Sequence, residues 1–163
     1  YASSKKMSEI LCETYSQTYG LDIKIARIFS GYGPNSAKSN LIFNIFNQII
    51  YNSKISLGNS SPKRDFIFIS DIISGLIKII NSKKRGFQIY NIGSGKSTSV
   101  KDLVKICLNL SNKNLKLISS KENERKNEIF DVHADISKMR SEFNWIPKIS
   151  LKKGLGITYN SFR

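Results

Sequence analysis

Two cysteines in 163 residues, Cys12 and Cys107, are too few and too far apart for a disulfide framework or a thiolate metal site. Their scarcity fits a reducing, cytoplasmic setting. The single histidine, His133, has no cysteine or second histidine beside it to share a metal, and reads as a structural or surface residue. No metal is expected. No apolar run is long enough to span a bilayer, and no secretory signal is visible. Internal repeats, low-complexity tracts and flexible linkers are also missing. Acidic residues are scarce: 12 Asp and Glu against 26 Lys and Arg leave a formal charge of +14. That charge invites a nucleic-acid partner, but the basic residues are spread along the whole chain, with no dense run interleaved with aromatics. The expectation is a solvated basic surface that assists capture of anionic substrates, with neither nucleic acid nor membrane as partner.

One glycine pattern is incomplete in an informative way. Gly93-Ser94-Gly95-Lys96-Ser97-Thr98 follows a strand-like run and precedes a helix-like one. A phosphate-binding loop needs G-x-x-x-x-G-K-S/T, so that backbone amides can cradle phosphate. Tyr90 stands where its first glycine belongs, and Thr98 stands where a dinucleotide G-x-G-x-x-G needs its third. The stretch therefore reads as a tight strand-to-helix turn. A P-loop-like nucleotide-binding module is the rival from another functional class.

What is present is an alternation of helix and strand signals, the pattern of an α/β fold. The chain is long enough for one domain with a real core. Residues 1–19 read as an amphipathic helix with Met7, Ile10, Leu11 and Tyr15 as its apolar stripe, stopped by Gly20. A mostly buried strand is expected over 22–29, then a turn or loop over 30–35. A second helix is expected over 40–52, with Leu41, Ile42, Ile45, Phe46 and Ile49 on one face. A short strand at 55–57 and a polar loop at 58–63 follow. Residues 64–69 read as a strand, Ser70 as the cap of a helix from Asp71 to about Asn81, and 87–92 as a buried strand after Gly86. Ser99, with Asp102 three residues on, caps a helix over 99–110. A strand at 115–118, a charged loop at 121–128, a short helix at 135–143 and a final helix capped by Ser150 complete the chain.

Tyr1 and Lys5 lie four apart at the head of the first helix, and so share a face. A free phenol titrates at about 10, too high for a base at neutral pH. A neighbouring ammonium favours the phenolate and lowers that value. The pair is thus a candidate acid/base unit for a hydroxyl proton. Lys6 is rotated off that face. Taken alone, the pair reads as a solvated lysine beside a half-buried tyrosine; the stretches that follow reverse that reading.

Several stretches taken together resemble the extended short-chain dehydrogenase/reductase family, in particular its nucleotide-sugar epimerases and dehydratases. Tyr1-Ala2-Ser3-Ser4-Lys5 resembles the catalytic Y-x-x-x-K. Arg27-Ile28-Phe29-Ser30-Gly31-Tyr32-Gly33-Pro34 resembles R-x-F-N-x-Y-G-P, with Ser30 in place of the usual Asn. Ser39-Asn40-Leu41 resembles the N-L step that opens a substrate-domain helix. Arg64-Asp65-Phe66-Ile67-Phe68-Ile69-Ser70-Asp71 resembles R-D-F/Y-I-x-V-x-D. Tyr90-Asn91-Ile92-Gly93-Ser94-Gly95, Ala134-Asp135-Ile136-Ser137-Lys138 and Trp145-Ile146-Pro147 complete the set.

The resemblance implies the C-terminal part of a modified Rossmann fold (1–38 and 65–94) plus a small α/β substrate-binding domain (39–64 and 95–163). A chain that opens on Tyr rather than Met, directly on this motif, is expected to be a fragment lacking the N-terminal NAD-binding half, and inactive alone. The implied activity is that of an NAD-dependent nucleotide-sugar epimerase of the UDP-glucose 4-epimerase kind, with NADP as the alternative cofactor. Tyr1 would take the proton of a sugar hydroxyl at C4, and hydride would pass to NAD and back. Lys5 would hold the nicotinamide ribose and depress the Tyr1 pKa. Phe29 and Ser30 would sit beside the nicotinamide, and Ser30 beside the sugar as well. Asn40, Leu41, Arg64 and Arg125 would bind the nucleotide-diphosphate sugar. Arg125 precedes Asn127-Glu128, where the family has R-x-G-D/E. A 4,6-dehydratase and an NADPH-dependent 4-keto-sugar reductase are the rivals within the family. Family members often pair as homodimers through the helix bearing Y-x-x-x-K. The stripe from Met7 to Tyr15 suits that role, or an intramolecular core.

Overall fold

In the computed structural model the described residues are 1–120 and 129–162. Arg125 and the expected loop at 121–128 lie outside them. Helix α1 (Ala2–Tyr19) stops at Gly20, whose φ of 65° is the left-handed cap that glycine adopts without strain. It leads into β1 (Lys24–Ile28) and, after a break at Phe29, into β2 (Ser30–Tyr32). Helix α2 (Leu41–Tyr51) follows, capped by the Asn40 side chain accepting from the Ile42 amide at 3.0 Å. Then come β3 (Lys54–Leu57), β4 (Lys63–Arg64), β5 (Phe66–Phe68), α3 (Ile69–Ile80) and β6 (Gln88–Ile92). The chain closes with β7 (Thr98–Ser99), α4 (Val100–Ser111), β8 (Lys116–Ser119), β9 (Asp131–Val132), α5 (Ser137–Phe143) and α6 (Leu151–Asn160). The caps expected from Ser99 and Ser150 are made, to the amides of Asp102 and Lys153. The Ser99 hydroxyl also donates to the Asp102 carboxylate at 2.7 Å.

Strand pairing is mostly parallel. β1 pairs with β6, β2 with β5 and β3 with β8. β4 lies between β7, antiparallel, and β9, parallel. The alternation expected of an α/β fold is therefore present, with several differences from the sequence reading, the unexpected short strands β7 and β9 among them. Residues 30–32 are a strand rather than a turn, because the line of β1 continues past Phe29 and exchanges β6 for β5 as its partner. The expected strand at 64–69 is two short strands broken at Asp65. Ser70 does not cap α3: the helix starts at Ile69, straight out of β5, and Asp71 lies in its first turn. β1 is half-buried to exposed rather than mostly buried, since among the described strands it has β6 alone as neighbour.

Side chains alternate across β5 and divide two cores. Phe66 and Phe68 face the first, with Ile45, Phe46 and Ile49 of α2, Ile55 of β3, Leu103 and Cys107 of α4, and Leu155 of α6. Ile67 faces the second, with Ile72 and Ile79 of α3, Tyr90 and Ile92 of β6, and Met139 and Trp145 from the C-terminal stretch. Two buried carboxylates, Asp65 and Asp71, hold these parts together. Asp71 accepts from the amides of Lys148 and Ile149 at 3.0 and 2.9 Å, which fastens the segment after Trp145 to α3.

α1 turns its polar side inward. Ser16 is buried and donates to the Leu21 carbonyl, and the Glu9 side chain is only 14% exposed. The stripe of Met7, Ile10, Leu11 and Tyr15 is exposed, so it forms no core with the other described residues.

Candidate active site

Tyr1 and Lys5 stand on the first turn of α1. The Lys5 Nζ lies 5.6 Å from the centre of the Tyr1 ring. Together with Ser8, Glu9 and Cys12 they form one wall of an open groove, and Ile25, Ala26, Arg27 and Ile28 of β1 form the other. Arg27 reaches across it as a fork: Nε donates to Glu9 Oε1 and Nη2 to Glu9 Oε2, each at 2.6 Å. The guanidinium hydrogen bond holds the Glu9 carboxyl below its ordinary range, and the same contact raises Arg27.

A second cleft, of about 470 Å³, begins two residues further along the same line of chain. Ser30 and Gly31 of β2 border it, as do Ser39, Asn40 and Leu41 at the head of α2. Leu57, Gly58, Asn59, Arg64, Phe66 and Val100 close it. Four of the expected substrate residues, Ser30, Asn40, Leu41 and Arg64, thus meet in one place although they come from three elements. The Asn40 amide also donates to the Gly31 carbonyl at 3.0 Å, so its cap to α2 is tied to the cleft wall. Arg64 Nη1 donates to the carbonyls of Lys63 and Ile129 at 2.7 and 2.9 Å, which aligns the side chain along the rim. Phe29 sits at the break between the two clefts and packs on the second core. Leu57, Asn59 and Val100 carried no signal in the sequence: they line the cleft only because β3 and α4 both pack against α2.

The glycine-rich turn at 93–98 has another task. Asp65, 1% exposed, accepts from the Ser94 amide and hydroxyl at 2.7 and 2.6 Å, and from the Gly95 and Ala134 amides at 2.9 and 3.0 Å. Amides that would cradle a phosphate are aimed at an internal carboxylate, which removes the P-loop reading. Tyr32 is likewise structural. Burial raises its phenol, and its hydroxyl donates to the Leu151 carbonyl. His133 is exposed, 3.6 Å from Asp131. Among the described residues there is no cluster that could hold a metal ion, and no helix long and apolar enough to cross a membrane.

Residues 1–158 match the model of the family described as GDP-mannose 4,6 dehydratase. A UDP-glucuronate 4-epimerase of Thermodesulfobacterium geofontis is 36% identical over 162 residues, which is 98% of this chain and 49% of that protein. A UDP-glucuronic acid decarboxylase of Arabidopsis thaliana is 28% identical over 167 residues, 100% of this chain and 47% of that protein. Among solved structures, the UDP-glucuronic acid 4-epimerase of Bacillus cereus in complex with UDP-glucuronic acid and NAD superposes with a TM-score of 0.86. It is 27% identical, over 94% of this chain and 49% of that one. The chain spans about half the length of the curated relatives it matches.

Proposed function

The chain belongs to the GDP-mannose 4,6-dehydratase family, and from that premise we propose that it supplies the acid/base pair and the nucleotide-sugar cleft of an NAD-dependent nucleotide-sugar epimerase. The observation that carries this reading is the succession of the two clefts along one line of chain. Ile28 borders the groove of Tyr1 and Lys5, and Ser30 borders the cleft of Asn40, Leu41 and Arg64. A proton-transfer pair and a rim with an arginine for a diphosphate therefore adjoin each other.

In this reading Arg64 and the head of α2 bind the nucleotide diphosphate, and Arg125 assists from outside the described residues. Ser30 contacts the sugar and, with Phe29, borders the nicotinamide. Tyr1, as phenolate, accepts the proton of the sugar C4 hydroxyl and later returns it. Lys5 stabilises the phenolate by its positive charge and donates to the ribose of the cofactor. NAD, with NADP as the alternative, supplies the hydride acceptor when bound. Tyr1 and Lys5 suit the nicotinamide-ribose end of such a molecule. The turn at 93–98, with its amides on Asp65, does not suit the pyrophosphate end. The residues at 1–38 and 65–94 are assigned to the Rossmann part and those at 39–64 and 95–163 to the substrate part. The exposed stripe of α1 supports a homodimer of the full-length protein.

The test uses the full-length protein with UDP-glucuronate, UDP-glucose, UDP-N-acetylglucosamine, GDP-mannose and dTDP-glucose, with products followed by NMR. C4 epimers with no net cofactor use are expected, and Tyr1→Phe should lower turnover by about a hundredfold or more. A 4-keto-6-deoxy product would reassign the protein as a dehydratase, loss of carbon dioxide as a decarboxylase, and stoichiometric NADPH consumption as a reductase.

A further inference from the structure

Resting on that reading, we propose that Arg27 is a positioning residue whose fork on Glu9 keeps the Lys5 ammonium free for Tyr1. Glu9 follows Lys5 by four residues, so both project from one face of α1. Lysine followed by glutamate is the weaker order for such a pair on an exposed helix. Here, however, Glu9 is only 14% exposed, and attraction within the groove is less screened than in open solvent. Left to itself, the carboxylate would draw the ammonium one turn along the helix, away from the phenol.

The geometry shows the opposite arrangement. Both Glu9 oxygens are held by Arg27 at 2.6 Å, and Lys5 has its contact with the Tyr1 ring instead. Lys6 approaches Glu9 Oε2 at 3.7 Å from the exposed side. The charged and titratable groups facing the groove are Tyr1, Lys5, Glu9 and Cys12 from α1 and Arg27 from β1, with Lys6 at its edge. Glu9 is the one carboxylate in this described lining, so it is the group able to neutralise Lys5. Planar, bidentate binding suits arginine to occupying both of its oxygens at once.

The sign of the effect follows. A free Lys5 cation stabilises the Tyr1 phenolate, and a Lys5 paired to Glu9 stabilises it less. Activity that needs the phenolate then begins at higher pH. The experiment measures kcat/KM against pH, and thermal unfolding, for full-length wild type, Arg27→Gln, Glu9→Gln and the double variant. Arg27→Gln is expected to move the acidic limb upward by about one pH unit, with activity at neutral pH falling roughly tenfold. Adding Glu9→Gln removes the competing carboxylate, so the double variant regains the wild-type limb although it still lacks the ion pair. A bridge with a merely structural role predicts no such rescue.

An unmoved limb in Arg27→Gln, or a double variant with the limb of the single one, would overturn the proposal. Should Arg27→Gln fail to fold, Arg27→Lys retains one point charge but cannot fork both oxygens, and must shift the limb part of the way. No shift there overturns the proposal as well. Tyr1→Phe runs beside these variants. Full turnover in Tyr1→Phe would remove the catalytic reading itself, whereas an inactive Tyr1→Phe with unmoved Arg27 variants would remove the positioning role alone.

Discussion

Asp65 accepts three backbone amides and one hydroxyl from two separate segments, all within 3.0 Å. Hydrogen bonds to a charged acceptor are among the stronger ones, and their loss leaves buried donors without partners. Asp65→Asn turns an NH2 toward those amides. It should lower the urea midpoint by the equivalent of about 3 kcal/mol with an unchanged m-value. The neighbouring Gly93 leaves no room for a side chain: a Cβ there would lie 2.7 Å from Asp65 Oδ2 and would also meet Ala134. Gly93, Ser94 and Gly95, the head of the stretch that resembles a phosphate-binding loop, are therefore parts of one internal clasp. Neither residue type nor spacing could reveal that, because the carboxylate that occupies the amides lies 29 residues upstream of Ser94.

Helix α6 carries two glycines that behave oppositely. A Cβ at Gly154 would run into the Tyr32 hydroxyl and come within 2.9 Å of Phe68 Cδ2, whereas at Gly156 the nearest described neighbour is Leu110 Cδ2 at 3.9 Å. Alanine gains about 1 kcal/mol over glycine inside a helix, and overpacking costs about 1–3 kcal/mol. Gly156→Ala should therefore raise the thermal midpoint, and Gly154→Ala should lower it; equal shifts in calorimetry would contradict this packing. In α1, the Glu9 carboxyl is held low by Arg27. A depressed folded pKa gives stability that is present above the unfolded value of about 4.3 and lost as pH falls through the folded one. Acid titrations of wild type and Glu9→Gln should thus differ by a constant amount above about pH 4.5 and converge as pH falls further, through the folded pKa of Glu9.

Seen whole, the described chain leaves two apolar rows uncovered. One is Met7, Ile10, Leu11 and Tyr15 on α1; the other is Ile73, Ile77 and Ile80 on α3. Apolar exposure of this kind favours association, while a formal charge of +14 opposes it. Salt shortens the range of the repulsion and leaves the apolar attraction in place. Sedimentation of the 163-residue chain should therefore show association that rises between about 0.05 and 0.5 M salt. Leu11→Lys and Ile77→Lys should each reduce it. Association that falls with salt would point to charge pairing between copies instead.

By itself the sequence determined the elements whose signals are local. Gly20 ends α1, and Asn40, Ser99 and Ser150 cap α2, α4 and α6, because a cap needs only a side chain and an amide two or three residues away. It also carried the ordered set of motifs that implied the family. Tertiary structure alone decided which face of α1 is inside, since an apolar stripe marks a buried face only when its cover lies in the same chain. It decided the breaks at Phe29 and Asp65, where one line of chain exchanges strand partners supplied from far along the sequence. And it brought Glu9 to Arg27, 18 residues apart, because strand β1 runs beneath the polar side of the helix that carries Tyr1 and Lys5. Contacts between distant residues depend on how elements pack, and packing is a property of the folded whole.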